Sequence, residues 1–217
     1  MNLGQLIARC RTEAFDKVAP YLFSDEDWAM WLNEAEEEAV IRKQLLRVND
    51  LTIDITAGER SYDTDMNLYE IVYASLVYAG STMLPWQIGI TTAAEMDKIA
   101  PMWRSIPFRP TGIIHYDRTV ETNCPPDTAY TLNIEGYRLP SKQMASDSDS
   151  PEINDVHHRH LVKWALHRAY SIPDVEILDK DKSSRALAEF DDYFGHRPDA
   201  DGRKSQNANQ PQHNACY

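Results

Sequence analysis

Apolar residues recur at helical spacing toward both ends of the chain and at alternate positions in its middle. Leu3, Leu6, Ile7, Cys10 and Ala14 fall on one face of a helix, with Arg9, Arg11 and Glu13 elsewhere around the cylinder. This predicts a short helix over about 3–14. After a break at Val18-Ala19-Pro20, Ser24 is an N-cap, and Asp25, Glu26 and Asp27 suit the positive end of a helix dipole. A second helix is expected from there to about Val48. Trp28, Leu32, Ala35 and Ala39 form its stripe, Leu45 and Leu46 lie near its end, and Arg42, Lys43 and Arg47 sit toward the C-terminus.

From Leu51 the period drops to two. Leu51, Ile53 and Ile55 alternate with Thr52, Asp54 and Thr56, and Ala57-Gly58-Glu59 supplies a turn, so a hairpin is expected. Further β-type runs cover Leu68 to Ala74, Thr111 to Val120 and Thr128 to Arg138. Between the first two, Thr92 and Glu95 have capping-box spacing and announce a short helix ending before Pro101. Pro107, Pro110, Pro125, Pro126 and Pro140 mark turns and edges of this mainly β stretch.

The segment Ser146 to Ser150 reads as a polar linker, after which helical spacing returns. A third helix is expected over about 151–170, with Leu161, Trp164, Ala165 and Arg168 along a stripe, and Ile172-Pro173 ends it. A fourth, over about 179–194, places Ala186, Leu187, Phe190 and Phe194 on one face and stops at Gly195. Each amphipathic helix needs a partner for its stripe, so the predicted fold is α+β. It is a four-helix bundle (1–49 and 150–195) with a mainly β unit (50–149) inserted between helices two and three, followed by an extended polar tail (196–217).

Charge narrows the function. Thirty-four acids against 22 bases leave a net charge of -12 over 217 residues, which argues against a protein that wraps nucleic acid or coats an anionic membrane. No apolar run approaches the length of a membrane span, and Met1-Asn2-Leu3-Gly4-Gln5 lacks the charged start of a secretory signal. The expectation is a soluble, unexported protein. Cys10, Cys124 and Cys216 give no disulfide or zinc spacing, and Cys10 falls on an apolar face.

His157, His160 and His167 share a helix face and form the densest metal-type cluster, so a small metal-dependent hydrolase using His157 and His160 is one reading. No zinc-protease motif accompanies them, which favours plain packing or pH-sensitive contacts. Glu34, Glu36, Glu37 and Glu38 fan around the second helix at about 100° per residue and read as a solvated face. Trp28 and Trp31 diverge by about 60°, which lets one face the core and the other a neighbour. Asp179-Lys180-Asp181-Lys182 lacks the calcium-loop ladder, and phosphate-cradling glycine motifs are missing too. No catalytic, cofactor or metal residue is assigned. A generic soluble interaction module is a further reading.

Four segments together resemble the head-to-tail adaptor proteins of tailed bacteriophages. They are Leu6-Ile7 through Trp28-x-x-Trp31-Leu32-Asn33-Glu34-Ala35-Glu36; Leu51-Thr52-Ile53 leading to Tyr62-Asp63; Cys124-Pro125-Pro126-Asp127-x-Ala129-Tyr130-Thr131-Leu132-x-Ile134 with Tyr137-Arg138-Leu139-Pro140; and Pro151-Glu152-Ile153 through Tyr170. Where the family usually has Y-x-L-P, this chain reads Tyr62-Asp63-Thr64-Asp65. The resemblance covers about residues 5–195. It implies a non-enzymatic homo-oligomeric ring of twelve copies beneath the portal protein, in the virion neck and assembled in the host cytoplasm. Such a ring extends the DNA exit channel without binding DNA specifically. It carries a downstream nozzle or tube protein, and fibres are a further candidate partner. It implies that the C-terminal segment reaches into the portal, with Arg197, Arg203, Lys204, Gln212 and Tyr217 as partner-binding residues. Glu34, Glu37, Glu38 and Asp191 then become candidates for an acidic lumen or ring interface.

Overall fold

The computed structural model describes residues 1–64, 67–173 and 178–198. Its elements run α1 (Leu3–Ala14), α2 (Asp25–Lys43), β1 (Arg47–Ile55), β2 (Ser61–Asp63), β3 (Leu68–Tyr78), β4 (Trp86–Thr91), α3 (Ala93–Ile99), β5 (Gly112–His115), β6 (Thr119–Thr122), β7 (Tyr130–Arg138), α4 (Asp155–Tyr170) and α5 (Lys180–Phe194). The fold is mixed α+β. Two units divide it, one made of Met1–Leu46 and Leu139–Arg197, the other of Arg47–Arg138.

In the helical unit the caps follow from local chemistry. Asn2 and Gln5 cap α1 reciprocally, Ser24 and Asp27 do the same for α2, and Asp179 caps α5. Helix α2 ends earlier than its periodicity suggests. Gln44 takes a left-handed conformation (φ 53°), and by Arg47 the chain is already a strand paired with β7. Helix α4 packs against α5, α2 and α1, and its buried face is Leu161, Val162, Ala165, Leu166 and Ala169. The expected stripe is thereby rotated: Trp164 is half-buried and Arg168 exposed. Trp28 and Trp31 do not divide between core and neighbour. Both are buried, edge-to-face with each other and with Phe23 at centroid separations of 5.2–5.4 Å.

The chain returns from β7 to α4 along a segment pinned to α1 and α2. Asn33 donates to Met144 O and accepts from Met144 N (3.0 and 2.8 Å), and the amides of Leu3 and Gly4 donate to the carbonyls of Asp149 and Asp147. The polar stretch 146–150 is therefore a structured cap on α1 and not a free linker. Helix α4 begins only after Asn154, its N-cap. Glu36 corrects the solvated-face reading of the acidic run. It occupies a stripe position between Leu32 and Ala39, is 1% exposed, and accepts the amides of Glu152 (2.5 Å) and Ile153 (3.3 Å). Burial pushes its carboxyl up to about 7, against the opposing pull of those two amides.

In the other unit the strand order is β1-β7-β3-β4-β5-β6-β2, with β4–β5 parallel and every other pairing antiparallel. The expected hairpin after Leu51 does not form. β1 pairs with β7 and β2 with β6, at opposite ends of the sheet order. A flat sheet would separate β1 from β2 by roughly 29 Å, six spacings of about 4.8 Å. The link from Ile55 to Ser61 reaches at most roughly 22 Å. The sheet must curl so that its two edges approach, and Tyr62 bridges them by accepting from Thr56 N at 3.1 Å. The run 111–120 is likewise two strands, β5 and β6, turned at Tyr116–Arg118. Inside lie Val48, Ile55, Leu68, Ile71, Ala74, Leu76, Ile88, Ile113, Val120, Tyr130, Leu132 and Ile134, each buried. The thiol of Cys124 is also buried, which raises its pKa.

Two measurements test this account. A Cβ at Gly136 would stand 2.3 Å from the Glu70 carbonyl oxygen, where β3 shifts register against β7. Gly136→Ala is expected to lower unfolding free energy by about 2 kcal/mol, read from urea midpoints. For Glu36, the unfolded chain releases the proton near its ordinary 4.5 and the folded chain near 7. The stability this group contributes is full below 4.5 and falls as pH rises through 7. Glu36→Gln removes that slope, so the variant gains on the parent between pH 4.5 and 7.5, and equal urea midpoint differences across that range would refute the assignment.

Candidate functional site

The charged centre of the helical unit is Arg42, on the last turn of α2. Its side chain is 7% exposed. Nε donates to Glu38 Oε2 at 3.1 Å, and Nη1 donates to the Asp191 carboxylate and to Gly195 O at 3.0 Å. The guanidinium also lies over the rings of Phe190 (5.0 Å) and Trp164 (5.3 Å). One cation thus ties α2 to the C-terminal end of α5, where the carbonyls carry partial negative charge.

The acidic candidates meet cations within this unit. Glu38 receives Arg42 and also Arg197 Nη1 at 3.0 Å. Asp191 receives Arg42 and lies 3.3 Å from His196 Nδ1. Glu34 receives Arg168 Nε at 2.9 Å and Trp164 Nε1 at 3.5 Å. Glu37 is half-buried. Glu38, Asp191 and Arg197 are therefore brought together around Arg42, with Glu34 one turn up the same face of α2. Arg203, Lys204, Gln212 and Tyr217 lie outside the described residues. The sequence marks Arg42 only as a base toward the end of α2, although Glu38 and Arg42 stand at the i, i+4 spacing that lets acid and base meet on a helix.

His157 and His160 both pack against Tyr193 and Phe194, and the hydrolase reading finds no support. His160 stacks on Tyr193 at 3.5 Å and 7°, and its Nε2 accepts from Arg159. His157 Nδ1 lies 3.1 Å from the Tyr193 hydroxyl, and His167 Nδ1 lies 2.9 Å from Ser183 Oγ. His158 is the buried one, with Nε2 2.8 Å from Ile153 O and Nδ1 3.0 Å from Met1 O. Burial, reinforced by Lys43 and Arg159, holds His157 and His160 below the ordinary histidine value. Among the described residues no three His, Cys, Asp or Glu side chains converge as metal ligands. Each of these four imidazoles is packed or hydrogen-bonded.

Removing Arg42 leaves Glu38 with Arg197 alone and the partly buried Asp191 with only the exposed His196 beside it. Arg42→Ala is expected to cost about 3 kcal/mol in urea unfolding. Adding Asp191→Ala should cost less than the sum of the two single changes, because the second change removes the acid that lost its main cation.

No described helix is long and apolar enough to cross a membrane. No curated protein matches the chain. The family model described as SU10 adaptor protein matches residues 1–212, taking in both units and most of the segment beyond α5. That order of helices, inserted strands and helices is the one whose segments resemble phage adaptors. The chain belongs to the SU10 adaptor protein family, a family of bacteriophage head-to-tail adaptors.

Proposed function

We propose that this chain is a structural, non-enzymatic adaptor that forms a ring beneath the portal of a tailed phage. In this reading the ring holds twelve copies, lengthens the DNA exit channel and carries the next tail component. The family match across residues 1–212 carries the reading. The helical unit, closed by α1, α2, α4 and α5 as a bundle, forms the channel wall. The β unit faces the downstream tail protein, and fibres where these attach. The segment beyond α5 docks in the portal, using Arg197 and then Arg203, Lys204, Gln212 and Tyr217. Its 20 residues from Pro198 to Tyr217 span tens of ångströms at about 3.3 Å each when extended.

The net charge of -12 supports a conduit, since a wall that repels phosphate lets DNA slide where a basic wall would hold it. The ion pairs bear on which acids would do this. Glu34, Glu38 and Asp191 are each neutralised locally by Arg168, Arg42 or Arg197, so their part is to hold the wall together or to exchange partners at a ring interface. Glu37, beside them on α2, is the stronger candidate for a lumen-facing charge.

Negative-stain imaging of the purified chain mixed with the portal protein of the same phage tests the reading. Portal-bound rings are expected, and a chain truncated after Pro198 should melt at the same temperature yet fail to dock. Absence of rings on the portal with the full chain would overturn the function.

A further inference from the structure

Between β7 and α4 the chain returns through residues 139–154, which contain no helix or strand. Its hold on the helical unit is a short series of contacts. Met144, Pro151 and Ile153 are its buried side chains. Asn33 takes both backbone groups of Met144, and the carbonyls of Asp149 and Asp147 accept the amides of Leu3 (2.7 Å) and Gly4 (3.2 Å). The segment also folds on itself: Ala145 N and Ser146 N donate to Asp149 Oδ2 (2.9 and 2.8 Å), and Ser141 N donates to Glu152 Oε1 (2.9 Å). A stretch fastened by so few groups opens more readily than the helices it crosses.

The Ile153 end is fastened by two buried titratable side chains that grip one residue from opposite sides. Glu36 of α2 accepts Glu152 N at 2.5 Å and Ile153 N at 3.3 Å, while His158 of α4 has Nε2 2.8 Å from Ile153 O. Both amides fall on the same oxygen of Glu36, Oε1. A protonated carboxyl offers that pattern, with one oxygen accepting and the other left to carry the proton.

The charges around Glu36 do not suit its anion. Glu152 on the return segment and Glu37 beside it on α2 both act against ionisation. On the far side of Ile153, His158 Nδ1 faces the Met1 ammonium (2.7 Å) and Asp155 (3.3 Å). The bases of the neighbouring helices are committed elsewhere. Arg11 of α1 meets Asp16 and Asp25, Arg42 of α2 meets Glu38 and Asp191, and Lys163 and Arg168 of α4 meet Glu13, Glu189 and Glu34. Ionising Glu36 in the closed unit therefore buries a charge beside like charges, whereas opening the segment gives that charge to water.

We propose that the return segment is a proton-operated latch, closed while Glu36 carries a proton and released locally over residues 141–153, with the helices still packed, when that proton leaves. The carboxyl gives up its proton near 7 when closed and near its ordinary 4.5 when open. The opening equilibrium is therefore smallest below 4.5, rises by up to about tenfold per pH unit between those values and is level above 7. Opening uncovers Met144, Ile153 and the first amides of α1, so the surface that the helical unit presents depends on pH. The latch lies wholly within that unit and stands apart from the adaptor reading.

Hydrogen–deuterium exchange of the full chain from about pH 5 to 8, read as protection factors so that base catalysis divides out, tests it. The amides of Glu152 and Ile153 are expected to be protected at least about tenfold less than those of Ala165 and Leu166 in α4. Between pH 5 and 7 they should lose about thirtyfold in protection. About 1 M urea should leave their exchange unchanged and speed that of Ala165, because local opening exposes little surface. Glu36→Gln keeps an accepting oxygen and does not ionise, so these two amides should hold their pH 5 protection through pH 8. Equal protection and equal urea dependence for the two groups of amides would mean that only unfolding of the whole unit frees the segment, and would overturn the latch. Wild-type protection that is flat with pH, a result that needs no variant, overturns it as well. So does a slope that survives Glu36→Gln, which would assign the switch to another group.

Discussion

The carboxylate of Glu36, sunk in the helical unit and accepting two amides 116 and 117 residues away, is the contact on which the inserted arrangement depends. Helices of the length of α1 and α5 are marginal alone in water, so the stripes of α1 and α2 are worth little until α4 arrives. A flexible loop of that length costs about 4 kcal/mol to close. The β unit reduces the cost because it begins and ends on paired strands, with Arg47 opposite Tyr137. Once the sheet has formed, the two chain ends leading to the helices are neighbours. The return segment then needs only short polar fastenings, and Asn33, Glu36 and the amides of Leu3 and Gly4 provide them. They are polar because a buried loop must find partners for its own amides and carbonyls.

A second constraint is the balance between local pairing and net charge. Arg42, Arg168, Arg197 and Lys163 each meet carboxylates of the helical unit, Lys163 reaching both Glu13 (2.9 Å) and Glu189 (2.7 Å). These pairs decide helix packing at short range. They do not alter the excess of twelve acids over the whole chain, which is the quantity a polyanion would meet within a Debye length of about 8–10 Å. The same composition therefore knits α2 to α5 and sets the outer field, through different residues.

Features with a local cause were legible in the sequence. Ser24, the Thr92 and Glu95 box, and Gly195 mark helix ends because each acts through hydrogen bonds within four residues of itself. The alternation of Tyr130, Leu132 and Ile134 likewise fixed the inner face of β7. Strand partners were not legible. Residues 56–60 look like a hairpin turn, yet they join opposite edges of a curled sheet, and nothing in those residues encodes the partner β7 almost eighty residues on. Glu36 was readable and was misread: the run of four glutamates drew attention to charge, while the stripe from Leu32 to Ala39 already placed one of them inside. His158 repeats the lesson on α4, buried at the position that precedes Leu161 and Val162 on the stripe. At the charged centre, Glu38 and Arg42 were within reach of spacing rules, but Asp191, 149 residues away, was not.

The Arg11 and Asp16 pair shows what stability alone does not explain. Burying two charges is costly even when they are well hydrogen-bonded, and a solvated polar loop would join α1 to α2 without that cost. The loop built here spends the pair on holding Phe15, Val18, Tyr21 and Leu22 in water, which is itself unfavourable for a free chain. Covering the loop with another surface would take the apolar groups out of solvent, while the cost of burying the charged pair would remain. A structural adaptor must hold its neighbours in one geometry, so shape fixed in advance is worth more to it than the stability given up. The charged pair is thus better understood through what it presents than through what it holds together.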